Sequence, residues 1–380
     1  LFLAETELKS YRNYSSVQIT WHRGINILLG YNAQGKTNLL ESIYVLSFAK
    51  SHRTTKDKEW IRFDDPFAVI KGIVLRKNGP ISLEITVTDR GKKAKINSLE
   101  QKRLSDFIGT LNVVMFAPED LELVKGAPGN RRRFLDMEIG QVSPAYLYNL
   151  NSYNKILMQR NQLLKEIAQR EKKANLLEIW DEQLVEYGVK ILHKRLDFMK
   201  KLSMWAKEIH STITNKKEEL YIEYQSSLQI LDQLEFHQLP YDEIRDLYLE
   251  QLRKARDKEI ARGMSLIGPH RDDLAFFINQ QNVQSYGSQG QQRTTALSLK
   301  LAEIELIHQE VGEYPILLLD DVFSELDENR QNDLIRSIKD KCQTFITTTS
   351  IDAIPEETIN EAKIYRVHAG SIVEDKIKEV

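Results

Sequence analysis

Two glycines five positions apart, followed at once by a lysine and a hydroxyl residue, occur in Gly30-Tyr31-Asn32-Ala33-Gln34-Gly35-Lys36-Thr37. Such a loop turns tightly enough for successive backbone N–H groups to point at phosphate oxygens, while Lys36 reaches the β- and γ-phosphates and Thr37 ligates Mg²⁺. The setting suits that chemistry. Ile25 to Leu29 predicts an apolar strand entering the loop, and Asn38 to Tyr44 predicts a helix leaving it with its positive end toward the anion. Gly30, Tyr31, Asn32, Ala33, Gln34, Gly35, Lys36 and Thr37 are therefore expected to bind a nucleoside triphosphate, ATP, with Lys36 also acting in catalysis.

A second constellation supplies acid. Pro315-Ile316-Leu317-Leu318-Leu319-Asp320-Asp321 reads as a strand buried on both faces that ends in paired carboxylates, as strand ends of a parallel α/β sheet do when they deliver acids to phosphate and metal. Asp320 is expected to hold Mg²⁺ through its water shell and Asp321 to activate water. Further on, Ser288-Gln289-Gly290-Gln291 opens a strongly helical stretch, and Ser288 with Gln291 has capping-box spacing. A helix start with a serine hydroxyl and a closely approachable glycine is also a receptor for a γ-phosphate. Both readings hold together.

The elements that must position these residues follow from periodicity. Short alternating runs (Val17 to Ile19, Phe67 to Leu75, Ile81 to Val87) read as strands, as does Asn112 to Phe116. From about Gly129 the period becomes helical: helices are predicted over Pro144–Gln169 and Tyr241–Arg262, and Leu176, Trp180, Leu184, Tyr187 and Ile191 form a core-facing stripe. Leu220 to Tyr224 reads as a short strand within that region. Strands return at Leu274 to Ile278, Ile316 to Leu319 and Thr344 to Thr348, with a helix from about Gln291 to Val311 and, beyond Asp327, a helix, one strand and a short tail. The expected division is a nucleotide-binding head over 1–128 and 264–380, interrupted by a compact helical lobe over 129–263.

Composition narrows the class. The 380 residues suffice for several lobes, no secretory or membrane-spanning run is apparent, and a cytoplasmic, membrane-free protein is expected. One cysteine, Cys342, gives neither a disulfide framework nor a CxxC metal hook, and His52 and His270 lack companions at ligand spacing. A net charge of −2 leaves nucleic-acid binding to local basic clusters.

Asp320 and its strand resemble a Walker B motif, Ser288 to Gln291 resembles the ABC signature motif, and Val322 to Asp327 resembles a D-loop. The fold these imply is an α/β, ABC-type ATPase head of mixed sheets and helices with an inserted helical lobe. They also imply ATP sandwiched in a homodimer, with Ser288, Gln289, Gly290 and Gln291 reaching the nucleotide of the opposite subunit and Ser324, Leu326 and Asp327 lining the interface. Two departures stand out: Asp321 replaces the usual glutamate, and no histidine follows Phe345 to Ser350, where a threonine takes its place. Slow, switch-like hydrolysis is expected.

The long separation of Lys36 from Ser288 points to the DNA-associated branch. Within it, Arg12-Asn13-Tyr14, Ser51-His52-Arg53, Phe116 to Leu121, Arg131 to Asp136, Gly268-Pro269-His270-Arg271-Asp272-Asp273-Leu274 and Ser288 to Thr294 resemble the RecF family of bacterial recombination mediators. The resemblance implies an ATP-driven dimer that binds gapped DNA near single-strand/double-strand junctions and works with RecR and RecO to load RecA. Roles in DNA replication, repair and SOS induction follow from it, and Arg12 resembles a residue lying near the nucleotide. Candidate DNA contacts are Lys92 and Lys93 with Lys95, the run Arg131, Arg132 and Arg133, and Arg253, Lys254, Arg256 and Lys258. The alternative is an SMC-type tethering ATPase, whose long coiled coil and hinge are absent here. A coupled nuclease would need an added acidic metal cluster, and a helicase would need tandem motor domains.

Overall fold

The computed structural model describes residues 1–169, 174–228, 240–324 and 326–374. The chain separates into two compact units, Leu1–Asp120 with the chain from Leu297 onward, and Leu121–Ala296. Residues 264–296, assigned from sequence to the head, fall in the second unit. The reason is strand pairing: β10 (Asp273–Ile278) lies antiparallel between β9 (Leu220–Gln225) and β11 (Gln281–Asn282), so it completes a sheet begun inside the helical region.

The first unit holds two six-stranded sheets. One is antiparallel, in the order β2-β1-β4-β5-β6-β7, from β1 (Phe2–Tyr11), β2 (Tyr14–Thr20), β4 (Phe67–Arg76), β5 (Gly79–Thr88), β6 (Gly91–Ile96) and β7 (Leu99–Glu100). The other has the order β15-β14-β3-β13-β12-β8, from β3 (Ile25–Leu29), β8 (Val113–Phe116), β12 (Ile316–Asp320), β13 (Thr344–Thr348), β14 (Ala362–His368) and β15 (Ser371–Glu374). Its pairings are parallel from β14 through β8, and only β15 runs back. Strands β8 and β13 are buried at every position, which accounts for their continuous apolar or threonine-rich sequences.

Parallel pairing puts the carboxyl ends of β3, β13, β12 and β8 along one edge. That edge therefore carries the start of the phosphate loop, Thr348 to Ser350, Asp320 with Asp321, and Ala117 to Glu119. The helix Lys36–Phe48 behind it is buried almost all round, including Glu41, Ser42 and Ser47. Its polar groups are consequently committed to neighbours rather than to water. The hairpin of β14 and β15 is a second difference from the sequence reading, which expects one strand after Asp327.

In the second unit the helices Pro128–Val142 and Leu177–Ile213 pack on the three-stranded sheet, and Pro144–Ala168 and Tyr241–Arg262 pack on Leu177–Ile213 and on each other. Along the expected stripe, Leu184 and Ile191 are fully buried, Trp180 and Tyr187 are half-buried, and Leu176 is 42% exposed just ahead of the helix. Two fully buried arginines knit the lobe. Arg160 binds Asp181 at 2.7 Å, Glu259 at 2.6 Å and Ser265 Oγ at 2.7 Å, and Arg195 binds Asp136 at 2.8 Å and the Pro269 carbonyl at 2.7 Å. Burial makes such charges tolerable only because each is paired.

The stretch Gly268 to Leu274 is the hub of that network. Gly268 has φ 131°, and a Cβ there would lie 2.0 Å from the Tyr248 hydroxyl and 2.4 Å from that of Tyr153. His270 Nδ1 meets Tyr153 OH at 2.7 Å, Nε2 lies 3.2 Å from the Ser265 carbonyl, and Asp272 accepts from Tyr224 OH at 2.6 Å. These partners place His270 as a packing residue and not a metal ligand.

Burial, aided by Arg271, Arg132 and Arg160 and only partly offset by the Ser265 carbonyl, pushes His270 from 6.5 down to about 4. The unfolded chain thus takes up the proton first, so the stabilisation is complete above 6.5 and is lost as the pH falls toward the folded value. Denaturation followed between pH 7 and 4 should show a loss of about 3 kcal/mol attributable to this ring. His270→Asn should be less stable at pH 7 yet show a flatter profile; an unchanged slope would remove His270 as its source.

Candidate functional site: a phosphate loop and its acids

Strand β3 delivers the chain into the loop, and Gly35 makes the turn into the helix with φ 118°. No side chain fits at Gly35, where a Cβ would lie 2.6 Å from Asn13 Nδ2 and 2.9 Å from the Tyr14 hydroxyl. At Gly30 a Cβ would meet the Val367 carbonyl oxygen at 2.4 Å. Ala33 also takes the left-handed conformation, with φ 63°. The loop is therefore wound for convergent N–H groups, and its winding is enforced by neighbours.

Those neighbours are the residues the sequence reading did not assign a job. Asn13 Nδ2 donates to the Gln34 carbonyl at 3.0 Å, Tyr14 OH donates to the Gly35 carbonyl at 2.9 Å, and Asn38 Nδ2 donates to Asn13 Oδ1 at 2.9 Å. From the β14–β15 turn, Ala369 N donates to Gln34 Oε1 at 2.7 Å and Gly370 N to the Gln34 carbonyl at 3.2 Å. Gln34 thus anchors the loop to two hairpins, while Tyr31, Asn32 and Ala33 stay exposed. No local sequence signal marks the Gln34 contacts, because all arise from distant segments.

Lys36 is buried and its ammonium donates to the carbonyls of Gly30 at 2.6 Å and Tyr31 at 2.9 Å. Burial lowers its pKa, opposed by the attraction of Asp321 and Asp320. Across the sheet Asp320 aligns with Thr347, which aligns with Leu28. In that row Asp320 Oδ1 accepts from Thr347 Oγ1 at 2.8 Å and from Thr37 Oγ1 at 3.1 Å. A hydroxyl and a carboxylate oxygen converging beside a lysine form the donor set that suits Mg²⁺ on a triphosphate, so the residues present fit that ion. Asp321 is exposed in the left-handed conformation at φ 54°, with its N–H held by Thr347 Oγ1 at 2.9 Å. Thr347 therefore fastens both acids.

Arg12 is directed elsewhere than the phosphate loop. Its Nε and Nη2 donate to the two oxygens of Glu41 at 2.9 and 2.7 Å, and Nη1 donates to the Glu59 carbonyl at 2.7 Å. Glu41 is fully buried and also accepts from Tyr11 OH at 3.0 Å and from Ser51 Oγ. Burial opposes its ionisation, but Arg12, Ser51 and Tyr11 outweigh it and hold the carboxyl below 4.5. Arg12 accordingly positions the phosphate-loop helix. Neighbouring His52 lies edge-on to Tyr44. Burial holds its pKa low against Glu41 and Asp320.

Around the signature-like stretch, Ser288 N donates to Gln291 Oε1 at 2.9 Å and Gln291 N donates to Ser288 Oγ at 3.2 Å, a reciprocal capping box opening the helix Gln289–Val311. Ser288 and Gln289 are exposed, Gly290 and Gln291 half-buried. In the D-loop-like stretch, Ser324 Oγ donates to the Asp321 carbonyl at 2.7 Å, Gln331 Nε2 donates to the Leu326 carbonyl at 3.0 Å, and Asp327 Oδ1 caps Arg330 N at 3.1 Å. Glu325 lies outside the described residues.

Of the basic candidates, Arg131 is corrected: it is buried in a fork with Asp273 at 2.6 and 2.9 Å. Lys92 is likewise structural, reaching the Ala49 carbonyl at 2.7 Å and Asp57 at 2.9 Å beside the Trp60 ring. Arg132 donates to the Asp272 carbonyl at 2.8 Å, and Arg256 reaches Asp181 at 3.3 Å. Arg133 and Arg253 are exposed, whereas exposed Lys93 and Lys254 pair with Glu100 at 3.0 Å and Glu250 at 2.7 Å. Lys95 pairs with Glu84 at 2.8 Å, and Lys258 is exposed.

The profile of RecF/RecN/SMC N-terminal domains matches residues 2–372. The DNA replication and repair proteins RecF of Bacillus thuringiensis (strain Al Hakam) and Bacillus cereus (strain B4264) are each 53% identical to this chain over 373 residues, covering 98% of both partners. The chain belongs to the RecF family. A solved structure of the recombination mediator RecF-ATP in the RecFOR pathway superposes with a TM-score of 0.90 at 34% identity, over 98% of this chain and 97% of that one. An Smc head domain from Pyrococcus furiosus gives 0.55 at 16% identity over 100% of this chain and 97% of that one, a likeness of fold alone. The mixed α/β architecture is thus that of RecF and of SMC ATPase heads. Among the described residues no helix is long and apolar enough to cross a membrane.

The Arg12–Glu41 pair can be tested directly. Because Glu41 is held below its usual 4.5, its contribution is present above that value and is lost as the pH falls through the lowered one. Arg12→Ala should destabilise at pH 7 by about 3 kcal/mol, since it strands a buried carboxylate, and Glu41→Gln in the same chain should restore part of the loss. A loss in the double variant equal to the sum of the losses in Arg12→Ala and Glu41→Gln alone, measured by thermal denaturation, would show that the two side chains act independently.

Proposed function

We propose that this protein is an ATP-dependent DNA-binding recombination mediator that dimerises on ATP, binds gapped DNA near single-strand/double-strand junctions, and acts with RecR and RecO in loading RecA. DNA replication, repair and SOS induction are its setting. The observation that carries the reading is the convergence of Thr37 and Asp320 beside Lys36, in a chain 53% identical to RecF proteins. ATP is the substrate. Lys36 and the loop N–H groups bind its phosphates, and Lys36 offsets the charge that develops on the γ-phosphate oxygens. Thr37 and Asp320 would hold Mg²⁺, which would supply charge neutralisation at the triphosphate.

Asp321 accepts the proton of the attacking water. Its side chain is one methylene shorter than glutamate, so its reach is limited and turnover is slow, as befits a switch. Ser288, presented at the capped start of its helix, reaches the nucleotide of a second subunit, with Ser324, Leu326 and Asp327 at the interface. ATP binding then closes two subunits over DNA and hydrolysis reopens them.

Light scattering should give a doubled mass with ATP and Mg²⁺ for the wild type and an unchanged mass for Ser288→Arg; normal dimerisation of that variant would remove the composite site. Asp321→Asn should keep the ATP dimer while slowing phosphate release about 10²-fold or more. Lys36→Arg should lose ATP binding or hydrolysis.

A further inference from the structure

The segment from Ser51 to Phe67 is fastened to the phosphate-loop helix on one side and exposed on the other. Ser51 Oγ donates to Glu41, and Arg53 Nη1 donates to Asn38 Oδ1 at 2.7 Å in the first turn of that helix. The Arg12 side chain holds the Glu59 carbonyl, Arg12 N donates to the Trp60 carbonyl at 2.8 Å, and Arg62 N donates to the Ser10 carbonyl at 2.8 Å. Trp60 is fully buried as the segment's anchor. Directly after this fixed backbone stands Phe63, 90% exposed, followed by Asp64 in the left-handed conformation at φ 65°. A large apolar ring held out from a pinned backbone adds nothing to the core and is open to a ligand.

Charge identifies what it recognises. Lys50, just before this segment, and Arg53, Lys56, Lys58 and Arg62 on it are all exposed. Lys56 and Lys58, with Asp57 and Glu59 between and beside them, line an open groove of about 550 Å³ whose far wall is the turn Thr88 to Gly91, carrying Asp89 and Arg90. Five acids share this patch: Asp57, Glu59, Asp64, Asp65 and, on the far wall, Asp89. Asp57 pairs with Lys92 at 2.9 Å, whereas Glu59 with Lys56 and Asp65 with Arg62 are loose 3.8 Å contacts that a phosphate can replace. With Arg90 and Lys92 the patch has seven cations to five acids, on a chain of net charge −2. An aromatic face inside a cationic rim is the arrangement that stacks an unpaired base while neutralising its backbone.

We propose that Phe63 stacks on a base exposed at a single-strand/double-strand junction while Lys56, Lys58 and Arg62 bind the flanking phosphates. This rests on the DNA-binding reading above. The fixed ring favours a junction, where a base face is already bare, over continuous duplex, where stacking would first require unpairing.

The test is fluorescence anisotropy of the full chain, with ATP and Mg²⁺, on gapped DNA and on blunt duplex. Phe63→Ala should weaken gapped DNA about tenfold and duplex far less, and Phe63→Trp should restore affinity and show emission quenched by DNA beyond that of the wild type. Lys56→Gln with Lys58→Gln and Arg62→Gln should reduce the slope of log affinity against log salt by about 2 to 3. Wild-type affinity in both variants, with the wild type itself binding, would overturn this inference alone. No DNA binding by the wild type would overturn it together with the proposed function. Loss of ATP-dependent mass doubling in Phe63→Ala with DNA affinity per dimer unchanged would instead make the ring a contact between copies and overturn the DNA role.

Discussion

One carboxylate oxygen organises the nucleotide end of this protein. Asp320 Oδ1 receives the hydroxyl of Thr37 from the phosphate-loop helix and that of Thr347 from the neighbouring strand. The sheet register makes this possible, because parallel pairing sets Asp320 beside Thr347 and Thr347 beside Leu28, two residues before the loop. A shift of one residue between strands β12 and β13 would turn Thr347 to the other face of the sheet. The loop, the metal-side hydroxyl and both acids would then lose their common reference. Burial on both faces, with β12 apolar up to Asp320 and β13 threonine-rich, encloses the strands in that register.

Behind the loop a second carboxylate does a different job. Glu41 is wholly enclosed, so its charge persists only because Arg12, Tyr11 and Ser51 surround it. Arg12 in turn holds the Glu59 carbonyl, which joins the phosphate-loop helix to the exposed segment carrying Phe63. The helix and the segment are therefore tied through a charged pair whose carboxylate is fully buried and costly to leave unpaired. The lobe uses the same physics at Arg160 and Arg195, where paired charges, and not apolar fit alone, fix the loop around Gly268.

The chemistry-bearing residues were legible because their signals are local: a strand, a glycine turn and a lysine lie within a few positions of one another, as do a strand and its terminal acids. Tyr241–Arg262 was readable for the same reason, ending where Gly263 adopts φ 62°. What escaped was non-local. Strand β10 belongs with β9, 48 residues before the start of its own run, so the domain boundary could not be read from the return of strand periodicity. Arg131 looked like surface in a run of three arginines, yet it shares a helix face with buried Leu135 and Glu138, and that spacing was the available clue. Lys92 lies on the same side of β6 as buried Ala94. The β14–β15 hairpin was also marked, by alternation around Tyr365 and the turn Ala369-Gly370, but its value as a clamp on Gln34 had no counterpart in the sequence.

Gln34 and Thr37 find their partners 335 and 283 residues away in the chain, at Ala369 and Asp320. During synthesis the phosphate loop leaves the ribosome well before the residues that clamp it. A nascent chain consequently lacks these contacts until Asp320 and Ala369 have been made. The long gap ties the finished shape of the loop to strands that are laid down hundreds of residues after it.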